Sequence, residues 1–208
     1  MSMPFDDRSI MQVLDWAYET AVHEIPGIGS AQTVAQSYLK GNGKLSQKVD
    51  SLVFWHTTGA ATSGFLTGLG GIATLPVAIP ANIASVILIQ LRMITAIAIM
   101  GGYNVLDDQV KTFCYVCLCG NAAKDVVKGV GITIGSKLSV QIIKKLPYEV
   151  IKQVNKAVGF RMITKFGTKG VLNLGKLIPI FGGILGGGMD AWGTNTIGSV
   201  AKQVFIID

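Results

Sequence analysis

Two charged residues stand apart from all others in the chain. Arg92 is the only Lys, Arg, Asp or Glu between Asp50 and Asp107, and Asp190 is the only one between Lys176 and Lys202. A charge held in apolar surroundings must be paired and hydrogen-bonded, because its desolvation is otherwise too costly. Arg92 and Asp190 are therefore expected to pair, with Gln90 as a polar neighbour. The pair would act as a structural tie, or as a polar contact for a lipid headgroup or a moving element.

The other reactive residue types lack a constellation. Cys114, Cys117 and Cys119 are the three cysteines. On a helix, 114 and 117 are neighbours while 119 is turned away, so three metal ligands cannot converge, and buried cysteine is a common core residue. His23 and His56 have no motif context, and His56 follows Phe54-Trp55 in an apolar run, as a satisfied core or interfacial histidine would. No G-x-S-x-G elbow is present. Lys128-Gly129-Val130-Gly131 has neither a preceding strand nor a following G-K-[ST]. No catalytic residue, metal or cofactor is expected.

Composition points elsewhere. Of 208 residues half are apolar and 14% are charged, against about 25% charged in an average soluble domain. The net charge of +6 is uneven. Residues 1–60 hold six acids and four bases, whereas residues 111–176 hold twelve bases and two acids, Asp125 and Glu149. Such a basic region is attracted to anionic lipid headgroups, at about 1 kcal/mol per Lys or Arg near the surface. Lys137, Lys144, Lys145, Lys152 and Lys156 are the expected membrane-facing bases. Nucleic acid is the lesser candidate, since no zinc-finger spacing or RNP-type stretch accompanies the lysines. The odd, tightly grouped set of cysteines, unlike a secreted disulfide framework, and the N-terminus, which does not read as a signal peptide, suggest a reducing cytoplasm, with the protein peripheral on, or partly inserted in, the inner membrane face.

The elements that position these residues read as helices throughout. Ile10, Val13, Leu14, Ala17, Ala21 and Val22 recur at helical spacing over Ser9 to Ile25. A second helix is expected from Ser30 to Leu39, ended by Gly41-Asn42-Gly43. Pro76 and Pro80 divide the uncharged centre into a small-residue helix, Leu45 to Ala73, and an apolar helix, Pro80 to Met100. The second is about 20 residues long, enough to span a bilayer, yet Asn82, Gln90 and Arg92 argue against a simple span. It reads as a buried core helix or as half of a membrane-inserting hairpin. Leu106 to Val127, Ser136 to Leu146, Pro147 to Val158 and Leu177 to Val204 complete the set, with Gly159 expected to end the third of these. Gly64 with Gly68, and Gly182 with Gly186, form GxxxG pairs that let another backbone approach closely. These two glycine faces are expected to pack on each other, or on a membrane-protein partner or a second copy.

Two blocks of residues carry a family resemblance. The first is Gly70-Gly71-Ile72-Ala73-Thr74-Leu75-Pro76, then Ile79-Pro80, Gln90-Leu91-Arg92-Met93-Ile94, Ile97-Ala98 and Gly102-Tyr103. The second is Lys176-Leu177-Ile178-Pro179-Ile180-Phe181-Gly182-Gly183, then Gly186-Gly187-Gly188, Thr196-Ile197-Gly198 and Ala201-Lys202. Together they resemble the EcsC family of bacterial proteins, over residues 45 to 205. The resemblance implies a helical protein named after a component encoded beside an ABC transporter, with no defined activity. Where the family tends to carry acids this chain has Ala78, Ala96 and Asn104, and Asp190 stands where asparagine is common.

The expected protein is all-α, a compact multi-helix bundle with a glycine-rich apolar hairpin. Residues 1–44 would form amphipathic helices packed on a helical domain of residues 45–208. The leading expectation is a non-enzymatic, membrane-associated accessory protein that binds an anionic lipid surface or a membrane protein. A soluble protein holding a lipid or other hydrophobic ligand in a cavity, and an effector that perturbs bilayers, are the alternatives.

Overall fold

In the computed structural model, residues 7–23, 29–59, 81–134, 143–166 and 184–206 are described. Their architecture is all-α and compact. The helices are α1 (Asp7–Val22), α2 (Ala31–Leu39), α3 (Leu45–Gly59), α4 (Ala81–Met100), α5 (Asp108–Leu118), α6 (Ala123–Lys128), α7 (Tyr148–Phe166) and α8 (Ile184–Phe205). A short 3-10 turn, Gly120–Ala122, joins α5 to α6.

Amphipathic spacing decides how the first helices lie. Ile10, Val13, Leu14, Ala17, Tyr18 and Ala21 are all buried, while Gln12, Asp15 and Glu19 face outward. Helix α2 starts where Ser30 takes an extended conformation and its hydroxyl accepts from the Thr33 amide at 3.2 Å, which satisfies one of the free donors of the first turn. Both helices pack on α4.

Helix α4 is the centre of the bundle. Almost every residue from Ile83 to Met100 is buried, and α1, α2, α3, α5 and α8 all pack against it. This is the only stretch among the described residues long and apolar enough to cross a membrane, and most of it is enclosed by protein. Its end is a glycine stop. Gly102 sits at φ +82°, the Tyr103 amide donates to Ala98 O at 3.0 Å, and the Gly102 amide donates to Ile99 O at 2.9 Å. That pattern satisfies two last-turn carbonyls and needs a left-handed residue.

Helix α5 is buried on all sides from Thr112 to Leu118. The single helix expected over Leu106 to Val127 is in fact broken. Gly120 adopts φ +56° and lies against Thr196 and Ile197 of α8, so the chain turns where α8 crosses it. Helix α7 departs the other way, running on to Phe166 through Gly159. Val158, Gly159, Met162 and Phe166 are all buried, and this tertiary burial outweighs the roughly 1 kcal/mol that a glycine costs inside a helix.

The described glycines that pack most tightly are not those of the GxxxG pairs. A Cβ on Gly198 of α8 would lie 2.6 Å from both Val53 methyl groups of α3, and one on Gly101 would strike the Phe205 carbonyl. Gly64, Gly68 and Gly182 lie outside the described residues. Gly186 is in the first turn of α8, and its surroundings lie outside them too.

Candidate functional site at the outer face of the basic helix

The polar positions of α4 point in different directions. Gln90 is buried, and its Nε2 donates to Thr194 Oγ1 of α8 at 3.4 Å. Arg92 is half-buried, with its guanidinium beside Gly29. Burial lowers its pKa. His56 of α3 is close enough to feel that cation; burial, and then Arg92, lower its pKa, while Nδ1–H donates to Leu52 O at 3.1 Å. Asp190, the expected partner of Arg92, lies one turn before Thr194 on α8, with its side chain outside the described residues.

The thiols are free and held inert by their surroundings. Cys114 and Cys117 are buried. Burial pushes Cys114 up to about 12 and Cys117 well above the ordinary thiol range. Cys119 is also pushed to about 12 by burial, against the opposing pull of Lys165 and Arg161. The thiolate is the nucleophile and metal ligand, so these groups are in the unreactive form at neutral pH. Among the described residues no group of three or more His, Cys, Asp or Glu could hold a metal ion.

Helix α7 brings together what the sequence scatters. Its inner side, Ile151, Val154, Val158 and Met162, packs toward α1 and α5. Its outer side carries Tyr148, Lys152, Lys156 and Phe160 at four-residue intervals, which places them along one face. All four are exposed, the two aromatics to 72% and 62%. Lys144 and Lys145 are exposed just before the helix, with Lys144 3.9 Å from Asp107. Lys137 lies outside the described residues. The lysines were legible in the sequence; the two aromatics that bracket them were missed, although the spacing 148, 152, 156, 160 was there to be read.

A groove of about 500 Å³ runs beside this face, between α1 and α7. Gly159 forms its floor against Met11, whose sulfur would lie 3.6 Å from an added Cβ. Arg8 and Lys156 supply two cations and Gln12 an amide. Asn155 also lines the groove, and its Oδ1 is buried without a hydrogen-bond partner, a deficit of about 1–3 kcal/mol. Asp15 lines it too. It is held by Lys111 Nζ at 2.9 Å and by the Tyr115 hydroxyl at 2.8 Å.

A second exposed aromatic site lies across the bundle. Phe54 and Trp55 of α3 are 59% and 62% exposed and meet edge to face, with ring centroids 5.8 Å apart. The cleft beside Phe54 measures about 390 Å³ and is bounded by Thr57, Asn195 and the Lys202–Asp50 pair at 2.6 Å.

No curated protein and no solved structure matches the chain. The sequence model of the EcsC protein family matches residues 30–207, which takes in α2 to α8 and reaches further than the two sequence blocks. The chain belongs to the EcsC protein family.

Proposed function

We propose that this EcsC family protein is a membrane-associated accessory protein that binds an anionic lipid surface through the outer face of α7. The observation that carries this reading is the exposed row Tyr148, Lys152, Lys156 and Phe160. Tyr148, a ring with a polar edge, suits the headgroup boundary, the apolar Phe160 ring suits the acyl side of it, and the lysines between them meet the anionic phosphates. Peripheral membrane helices draw on the same two residue types, aromatic rings for the acyl boundary and lysines for the headgroups, and on α7 both stand on the exposed side. Here the opposite side of the helix is anchored on α1 and α5, so the whole domain would be carried to the membrane. Enclosure of α4 by five helices favours this peripheral mode over insertion of that helix.

The test is co-sedimentation with neutral vesicles and with vesicles containing phosphatidylglycerol, each at low and high salt. Binding to the anionic vesicles alone, weakened by salt, is the expected result, because screening shortens the reach of surface charge. Indifference to both vesicle types would sink the reading. Equal retention by duplex DNA at the same salt would favour a general polyanion surface instead.

A further inference from the structure

We infer that the groove between α1 and α7 receives one anionic phospholipid whose headgroup carries a free hydroxyl, of the phosphatidylglycerol kind. This inference rests on the membrane reading above and names the lipid that the same face selects. The groove opens beside Lys156, which also belongs to the outer row of α7. Arg8 on α1 and Lys156 on α7 line its two walls. Guanidinium and ammonium groups together give a phosphate charge-assisted donors.

Phosphate recognition alone does not account for the rest of the lining. Asn155 Oδ1 lacks a partner, and an anion cannot supply the donor it needs. A hydroxyl can, once the amide turns toward the groove. Gln12 offers a second amide, and Asp15, already held by Lys111 and Tyr115, offers a carboxylate. A carboxylate repels phosphate but accepts from a hydroxyl. The lining thus joins two cations to several hydroxyl acceptors, which matches a phosphodiester followed by a polyol. Met11 and Gly159 leave an apolar floor against which the glycerol carbons fit.

The experiment compares phosphatidylglycerol with phosphatidylmethanol, which has the same phosphodiester charge and no headgroup hydroxyl, at equal mole fraction in otherwise neutral vesicles. The wild-type protein should prefer phosphatidylglycerol by about tenfold, the worth of one good hydrogen bond. Asn155→Leu should lose that preference while keeping its affinity for phosphatidylmethanol, a pattern that unfolding cannot produce. Arg8→Ala should weaken both lipids alike. Equal wild-type binding to the two lipids overturns the groove and leaves the membrane reading standing. Binding to neither overturns both. Soluble glycerophosphoglycerol that binds as tightly as the vesicles would overturn the lipid as the source of the headgroup.

Discussion

Helices α4 and α7 differ by one residue in length, 20 against 19, and in almost everything around them. Helix α4 is apolar on nearly every face and meets five other helices. Helix α7 has only one apolar side, yet it leaves two large aromatic residues in the open. The more membrane-like sequence is the one enclosed by protein, and the more water-like sequence carries exposed rings. Apolarity measures how strongly a segment leaves water; it does not say whether protein or lipid receives it. Exposed aromatic residues beside lysines are the more telling observation, because the fold had the chance to bury them and did not.

The largest effect is expected at α4. Ile94 is fully buried, and Ile94→Ala should cost about 2–5 kcal/mol by chemical denaturation, as core truncations do. A change of a few tenths would mean that α4 is not a core helix. On α7, Lys152→Glu with Lys156→Glu should leave the melting temperature unchanged. Removing about 1 kcal/mol per lysine should weaken binding to anionic vesicles about thirtyfold or more. Unchanged vesicle binding would return α7 to an ordinary solvated helix.

Two smaller effects sharpen the picture of the core. Gly198→Ala would push a methyl group into both Val53 methyls, and overpacking of this kind costs about 1–3 kcal/mol. Adding Val53→Ala should relieve much of that strain, and additivity of the two changes would show that the helices part there. The smallest effect concerns His56, whose pKa is lowered by burial and by Arg92. Above the unfolded value of 6.5 both states are neutral at this position. Below it the unfolded chain takes up the proton first, so stability should fall as the pH drops from 6.5 toward the lower folded value. His56→Gln should flatten that part of the stability profile measured by urea denaturation.

Residues near in sequence were read more surely than residues near in space. The six apolar positions of α1 announced a buried stripe, and five of them, Ile10, Val13, Leu14, Ala17 and Ala21, are fully covered. Gln90 stands out as polar within the apolar helix, but spacing does not reveal that it meets Thr194 across 104 residues. The glycines show the same limit. The GxxxG pattern directed attention to Gly64, Gly68, Gly182 and Gly186, whereas Gly101 and Gly198 make close approaches to Phe205 and Val53. A motif reports small residues on one face, and only the partner's position turns such a face into a contact.

The sequence by itself determined the helical class, the family, the buried stripe of α1 and the basic character of the second half. The family is carried by its two blocks of residues, and the rest follows from period, composition and local stop signals, which act over a few residues. Tertiary structure decided that α4 is enclosed, that the chain breaks at Gly120, that α7 runs through Gly159, and that Arg8 and Asn155 share a groove. Each of those depends on which surfaces meet, and burial is won collectively by helices far apart in the chain. The isolated charge of Arg92 was visible from the start. Its place beside Gly29 and near His56 is set by the packing of α2 and α3 on α4.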